Sequence, residues 1–185
     1  SCEDCPRGFS QSGVNQSMCD LCLPGQAQNQ TGQTKCDECL AGKLAGNAKA
    51  SVCEDCPLGY FQEDKAQASC MPCIPGKASN TPGASACMEC EPGTVAREAK
   101  TKICDSCAPG MYQDTKGSAS CLLCMPGRTQ HQNGSAACQG CGEGKYMADL
   151  GSKTVSCEDC PRGFSQSGVN QSTCDLCLPG QAQSQ

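Results

Sequence analysis

The sequence has few of the side chains from which a hydrophobic core is built. Tryptophan is absent, there are three tyrosines and three phenylalanines, and Leu, Ile, Val and Phe together number 20 of 185 residues. A chain so poor in large apolar groups cannot bury enough surface to offset the conformational entropy lost on folding. A conventional globular core is therefore excluded, together with the fold classes that depend on one.

Residue types that carry chemistry are also scarce. His131 is the single histidine and stands in a glutamine-rich stretch, where we interpret it as a solvated surface residue. The formal charge of −5 is spread along the chain without a basic cluster, which argues against nucleic-acid binding. No apolar run is long enough to cross a bilayer. The sequence contains neither a recognisable pair of nucleophile and base nor a phosphate-binding loop motif. We predict a chain that is not an enzyme, needs no cofactor and contains no membrane segment.

Cysteine, in contrast, is abundant, at 22 of 185 residues. This composition is typical of small secreted modules, in which covalent cross-links supply the order that a core cannot. Disulfides form and persist in oxidising compartments. The sequence therefore predicts a disulfide-bonded protein located outside the cell or at its surface.

The cysteines form eleven CxxC pairs at an almost constant interval. Successive first cysteines are evenly spaced, as from Cys2 to Cys19, except that the interval from Cys138 to Cys157 is two residues longer. Self-similarity at a fixed period indicates units that stack on their neighbours. The first cysteines of the pairs are Cys2, Cys19, Cys36, Cys53, Cys70, Cys87, Cys104, Cys121, Cys138, Cys157 and Cys174.

Each unit begins with a turn signal. A glycine stands three residues after the second cysteine in every copy, and Pro6, Pro57 and Pro161 follow that cysteine directly. Proline fixes φ and glycine supplies the positive φ of a tight turn, so the chain reverses after each CxxC. The polar residues that follow are too few for a packed helix. We predict a small disulfide-rich fold, an elongated rod of tandem 17-residue stapled hairpin and loop repeats with little regular secondary structure.

A longer rhythm groups the units in threes. One class of unit carries an aromatic residue after the glycine, a second an apolar residue before Pro-Gly, and a third an apolar residue at its end. We expect these groups to share a small cluster against the disulfides. The predicted groups are residues 1–52, 53–103, 104–156 and the partial group 157–185, and the three classes are marked by Phe9, Tyr60, Phe61, Tyr112 and Phe164, by Leu23, Ile74, Met125 and Leu178, and by Val52, Ile103 and Val155.

A third level of repetition is a near-duplication. Residues 1–30 and 156–185 agree at 28 of 30 positions and differ only at Met18 against Thr173 and Asn29 against Ser184. The block formed by residues 1–155 is thus copied, and the second copy begins at the end of this sequence. We expect the chain to be a segment of a longer array.

Equivalent units require the same cysteine pairing at each repeat. Joining the second cysteine of one CxxC to the first of the next satisfies this requirement. Two alternatives stay open. In one, adjacent CxxC groups pair first cysteine to first and second to second; in the other, each group of three units has its own six-cysteine pattern. The favoured scheme leaves Cys2 and Cys177 without partners in this sequence. Its bridges are Cys5–Cys19, Cys22–Cys36, Cys39–Cys53, Cys56–Cys70, Cys73–Cys87, Cys90–Cys104, Cys107–Cys121, Cys124–Cys138, Cys141–Cys157 and Cys160–Cys174.

Metal and redox sites are the chemical alternatives for CxxC pairs. Structural zinc takes four ligands, but eleven pairs do not divide evenly into four-thiolate sites, so we predict no metal. A redox-active CxxC needs a thioredoxin-like βαβ context, which is missing. Calcium needs several clustered oxygen ligands, and we interpret the acidic residues within CxxC groups as solubilising instead. These acidic pairs are Glu3-Asp4, Glu54-Asp55 and Glu158-Asp159.

Four asparagines begin N-x-S/T sequons in the polar loops, namely Asn15, Asn29, Asn133 and Asn170. Because secretion is already indicated by the cysteines, we expect some of them to carry glycans.

These motifs carry a family resemblance. The stretch from Cys107 to Cys121, followed by Leu-Leu-Cys-Met-Pro-Gly, resembles ephrin-receptor-like cysteine-rich repeats and, more distantly, tumour-necrosis-factor-receptor modules. The resemblance implies spacers, adhesive arms or receptor stalks. Cys141-Gly-Glu-Gly and Cys39-Leu-Ala-Gly lack the proline. We predict a structural segment of an extracellular filament, appendage or matrix, which associates with itself or with other extracellular structural proteins; the alternative is a receptor or adhesin ectodomain stalk that binds a protein partner.

Overall fold

The computed structural model describes residues 2–151 and 156–181, and its regular secondary structure consists of two-residue β-strands without any helix in those ranges. Accordingly, no described helix could span a membrane. In chain order the strands are β1 Phe9–Ser10, β2 Asp20–Leu21, β3 Gln26–Ala27, β4 Asp37–Glu38, β5 Lys43–Leu44, β6 Glu54–Asp55, β7 Tyr60–Phe61, β8 Met71–Pro72, β9 Lys77–Ala78, β10 Met88–Glu89, β11 Thr94–Val95, β12 Asp105–Ser106, β13 Met111–Tyr112, β14 Leu122–Leu123, β15 Arg128–Thr129, β16 Gln139–Gly140, β17 Lys145–Tyr146, β18 Glu158–Asp159, β19 Phe164–Ser165 and β20 Asp175–Leu176.

The first unit shows how the sequence produces a hairpin. The Phe9 amide donates to the Pro6 carbonyl over 3.1 Å, and Gly8 within that turn has φ +82°. Positive φ at this position is the requirement that glycine meets without steric cost. The chain leaves the turn as β1 and returns as β2 inside the next CxxC, with Phe9 opposite Leu21. The predicted reversal after each CxxC therefore has its expected physical basis.

The chain divides into two compact parts, Ser1–Met88 with Glu98–Ile103, and Glu89–Arg97 with Cys104–Gln185. In both parts, strands that follow a turn glycine pair antiparallel with the strand inside the following CxxC. In the first part the pairs are β1–β2, β3–β4, β5–β6 and β7–β8, and in the second β11–β12, β13–β14, β15–β16, β17–β18 and β19–β20.

Cysteines and small residues form the core. The second cysteine of each bridged CxxC is buried, and Val95 and Ala96 are fully buried beside them. Small side chains suffice because the disulfide sulfurs fill the space between the hairpin arms. The small disulfide-rich repeat class and the lack of helix are thus confirmed for the described residues, and the grouping in threes stays a prediction.

The expected apolar cluster against the disulfides is wrong for two of its three classes. The side chains that precede Pro-Gly point to solvent, with Leu23 59 % and Met125 63 % exposed, and Val52 and Ile103 are exposed as well. The aromatic residues are only half-buried, and Val155 lies outside the described residues. The units are too closely joined by disulfides and backbone hydrogen bonds to leave room for large apolar groups between them.

Candidate functional site

The disulfides link the units into one continuous chain of loops. Each joins the second cysteine of one CxxC to the first of the next, which is the pairing scheme that the sequence favours. Cys2 and Cys177 are free. Cα–Cα distances of 5.5 to 5.8 Å suit a disulfide without backbone displacement. The bridges are Cys5–Cys19, Cys22–Cys36, Cys39–Cys53, Cys56–Cys70, Cys73–Cys87, Cys90–Cys104, Cys107–Cys121, Cys124–Cys138, Cys141–Cys157 and Cys160–Cys174.

Consecutive units dock through backbone hydrogen bonds. In the first pair of units the Gly8 amide donates to the Gln28 carbonyl over 2.8 Å, and the Gln11 amide donates to the Gln33 carbonyl over 3.0 Å. In the opposite direction, the Gly32 amide donates to the Cys5 carbonyl over 2.9 Å. Because both donor and acceptor belong to the backbone, these bonds tolerate wide variation in the side chains.

From the second unit onwards, one residue in each loop has a left-handed backbone conformation and makes the returning hydrogen bond. Its amide donates to the carbonyl of the buried second cysteine of the preceding unit, as for Lys49 on Cys22 and, across the longer loop, Asn170 on Cys141. Asn15 of the first unit shares the conformation but makes no such bond within the described residues. Non-glycine residues rarely adopt positive φ, so docking imposes this conformation on side chains that do not favour it. The residues with positive φ at this position are Asn15, Gly32, Lys49, Ala66, Gly83, Lys100, Gly117, Gly134, Gly151 and Asn170.

The same residue also touches the unit two places earlier. A Cβ added to Gly59 would lie 2.2 Å from the Lys100 carbonyl oxygen, and one added to Gly93 would lie 2.0 Å from that of Gly134. Gly8, Gly25, Gly42 and Gly127 meet the corresponding carbonyl in the same way. The turn glycine is thus required twice in these units, for its positive φ and for the close approach of another backbone.

Two aromatic side chains reinforce this second contact. The Lys49 ammonium lies 5.6 Å from the centroid of the Phe9 ring, and the Lys100 ammonium lies 5.6 Å from that of Tyr60. Each lysine is the left-handed residue two units after its aromatic partner. Such cation–π contacts at exposed sites contribute about 0.5–1 kcal/mol.

Sequence reasoning missed a glutamine that closes the loop in many units. Gln62 donates from Nε2 to the Ser69 carbonyl over 2.8 Å, and its Oε1 accepts from the Asp64 amide over 3.0 Å. The signal was present, because glutamine recurs three residues after the turn glycine. The same pair of bonds is made by Gln11, Gln28, Gln113, Gln130 and Gln166.

All four sequon asparagines are exposed, but their surroundings differ. Asn29 and Asn133 lie in loop positions that make no docking bond. Asn15 and Asn170 occupy the left-handed position, with φ of 58° and 61°. The Asn170 side chain also rests on Gly140, where an added Cβ would meet its Oδ1. Asn170 therefore has less room for a modification than Asn29 and Asn133.

Charged residues form ion pairs both between neighbouring units, as for Lys116 and Glu91 at 2.9 Å, and within hairpins. Lys43 forms a 2.5 Å ion pair with Asp55, and Lys145 a 2.6 Å ion pair with Asp159, in each case directly across the strand pair. His131 is exposed. In the described part of the chain, no three His, Cys, Asp or Glu side chains are grouped so that they could hold a metal ion.

A tyrosine with a perturbed pKa lies in one of these hairpins. The Tyr146 hydroxyl donates to Glu158 Oε2 over 3.0 Å. This hydrogen bond, with the negative charge of Glu158 and partial desolvation, raises the pKa of Tyr146 above its ordinary value. The pair lies on the outside of the hairpin, so we assign it a structural effect only.

The outer surface carries the exposed apolar side chains in small niches. One is lined by Leu40, Lys43 and Val52 together with Asn29 of the preceding unit. A second niche, built from the equivalent positions five units later, is lined by Met125, Arg128, Tyr112 and Asp114. Both niches combine apolar and charged groups.

Comparison with known proteins agrees with this geometry. A family model described as tyrosine-protein kinase ephrin type A/B receptor-like matches residues 42–90 and 93–141, together more than half of the chain. No curated protein sequence matches the chain. The matched ranges contain the CxxC pairs, turn glycines and hairpins described above. The chain therefore belongs to the ephrin-receptor-like family of cysteine-rich repeats, whose members serve as extracellular structural modules.

Proposed function

We propose that the chain is a structural segment of an extracellular filament, appendage or matrix. The observation that carries the proposal is the docking of repeat units within each of the two compact parts, where successive units use the same backbone bonds. Interactions that depend on the backbone can be repeated along an array of any length, as in other solenoid proteins. The 28 of 30 identical positions in residues 1–30 and 156–185 support propagation of the same block.

The proposal includes the absence of catalytic activity, which the structural character of the family's repeats supports. It also includes a location outside the cell and glycans on at least Asn29 or Asn133. Both are supported by the number of disulfides and by the exposure of these two asparagines.

The proposed function is tested on native material. An antibody raised against residues 98–117 is used to label intact cells and their secreted fibres by immunogold electron microscopy. Regularly spaced gold along extracellular fibres is the expected result. Labelling confined to single molecules at the plasma membrane, on a protein with one copy of the block, would support a receptor or adhesin stalk and contradict the filament proposal.

A further inference from the structure

One cation on the outer surface lacks the partner that its equivalents have. The first strand position after the turn glycine is a cation in four units, at Lys43, Lys77, Arg128 and Lys145. Lys43 and Lys145 pair with the aspartate directly across the hairpin, and Lys77 also has an interaction partner. The residue across from Arg128 is Gly140, which has no side chain to offer. Within the described residues, the Arg128 guanidinium therefore makes no ion pair.

The surroundings of Arg128 form a niche of about 260 Å³, which we call the Arg128 niche. Met125, 63 % exposed, supplies an apolar wall. Tyr112 is half-buried, and its hydroxyl has no hydrogen-bond partner among the described residues. Asp114, whose carboxylate accepts a hydrogen bond from the Thr115 hydroxyl, also lines the niche, and two alanines and a cysteine at residues 136–138 complete it. The niche thus combines a guanidinium that forms no ion pair with apolar surface and a free hydroxyl, which suits a carboxylate flanked by aliphatic side chains.

The chain carries a complementary surface twice. The sequence Asp-Leu-Cys-Leu occurs at residues 20–23 and again at 175–178, and we call it the acidic-leucine motif. Leu23 and Leu178 are 59 % and 63 % exposed, and Leu176 is 66 % exposed. The aspartates that begin the motifs are exposed and make no ion pair within the described part of the chain. Each motif therefore presents one unpaired carboxylate beside exposed leucines.

We propose that the Arg128 niche binds the acidic-leucine motif of a second copy of this chain. The leucines pack on Met125 and Tyr112, and the aspartate carboxylate pairs with the Arg128 guanidinium. Apolar contact supplies most of the attraction, whereas the charge pair fixes which niche meets which motif. The equivalent cations Lys43 and Lys145 compete poorly, because they are already paired with an aspartate within their own hairpins. This inference rests on the proposed function, since it describes lateral contact between repeat arrays.

The test is sedimentation velocity of the oxidised chain over a range of concentrations. Cys2 and Cys177 are alkylated first, so that intermolecular disulfides do not contribute; the motif at residues 20–23 has no free thiol and is unchanged by this step. Concentration-dependent association is expected in low salt and is expected to weaken in high salt, because exposed charges are screened. Arg128→Glu places two negative charges together and should raise the dissociation constant about tenfold or more. Arg162→Glu, an equal change in net charge at an exposed turn, should leave association unchanged.

A mixing experiment tests the pairing directly. The double variant Asp20→Arg with Asp175→Arg should also associate weakly by itself. Mixed with Arg128→Glu, it should recover association, because each chain then supplies the charge that the other lacks. A free-thiol count equal to that of the unmodified protein verifies that each variant has formed its disulfides.

Several results would overturn the inference. They are an unmodified chain that stays monomeric at all concentrations, an equal effect of Arg128→Glu and Arg162→Glu, or a mixture that associates no better than its components. None of these results bears on the immunogold experiment, so labelled fibres would leave the proposed function standing even where the Arg128 niche fails.

Discussion

Docking between units two places apart predicts different consequences for the same substitution at two equivalent glycines. Gly59 and Gly163 occupy equivalent turns in different units, with φ of +81° and +83°. A Cβ at Gly59 would lie 2.2 Å from the Lys100 carbonyl oxygen, whereas a Cβ at Gly163 meets no described atom within 4 Å. Alanine at either position adopts left-handed φ at a cost of about 1–2 kcal/mol. Gly59→Ala alone must also move a neighbouring backbone.

The extra cost at Gly59 follows from the geometry. The contact must lengthen from 2.2 Å to at least 3.0 Å, and the atom that moves is a carbonyl rather than a flexible side-chain end. Overpacking of this kind costs about 1–3 kcal/mol. The displacement weakens the bond from the Lys100 amide to the Cys73 carbonyl, which is 2.9 Å long in the structure. We therefore expect Gly59→Ala to open the docked loop locally.

Hydrogen exchange followed by mass spectrometry measures this opening, because exchange of a docked amide reports the local free energy of opening. In Gly59→Ala, the peptide containing Lys100 should exchange about tenfold faster for each 1.4 kcal/mol of additional cost. Gly163→Ala should leave docked amides in other units unchanged. If both substitutions have the same effect, confined to their own turns, the close approach between units two places apart has no energetic consequence and the reasoning is refuted.

Three further substitutions test other parts of the account. Gln62→Leu should destabilise its unit by about 1–3 kcal/mol, because the Asp64 amide and Ser69 carbonyl lose their partner. The half-buried Gln67→Leu, which removes only one hydrogen bond to the Lys65 carbonyl, serves as control, and equal midpoints in thermal unfolding would contradict the role of Gln62. Ala66→Gly should stabilise the folded state by up to about 1 kcal/mol, because relief of the left-handed strain at φ 57° outweighs the added entropy of the unfolded chain. A lower midpoint in thermal unfolding would contradict the assigned strain. Glu158→Gln should lower the pKa of Tyr146 in a tyrosinate absorbance titration, because the hydrogen bond and negative charge that raise it are weakened or lost. In the unmodified protein, the Tyr146–Glu158 hydrogen bond contributes to folding stability below the unfolded tyrosine pKa of about 10, and this stability is lost as the pH rises through the raised pKa of the folded state. If the variant and the parent protein gave the same tyrosinate titration, the assignment would be refuted.

The sequence predicts the local structure well because the turns and hairpins depend directly on which residue types stand at which positions. Gly8 follows Cys5 by three residues, and its positive φ is a direct consequence of the turn that glycine permits. The constant CxxC interval likewise predicts equivalent hairpins. The glutamine at positions such as Gln62 could have been recognised by the same logic, since it recurs three residues after the turn glycine in more than half of the units.

The docking could not be predicted from residue types. The left-handed position is occupied by residues as different as Lys49, Ala66 and Gly83, and its hydrogen bond uses only the backbone. No side-chain pattern therefore marks it. The prediction of an apolar cluster against the disulfides was wrong for a related reason. Leu23 and Met125 suggested an internal cluster, but the close backbone contact between units leaves both side chains exposed, and Met125 lines the niche from which the Arg128 interaction is inferred.

The central claim is that each unit is closed by a disulfide from its second cysteine to the first cysteine of the next. Each such bridge closes a loop of about 15 residues, which on the chain-entropy model contributes roughly 3 kcal/mol. Cleavage after glutamate under non-reducing conditions tests the claim directly, because Glu38 and Glu54 each lie inside a CxxC. The account predicts that residues 39–54 are released as one peptide, its mass lower by the two hydrogens lost when Cys39 and Cys53 join. Recovery of that peptide bonded to another, or with two free thiols, would contradict it.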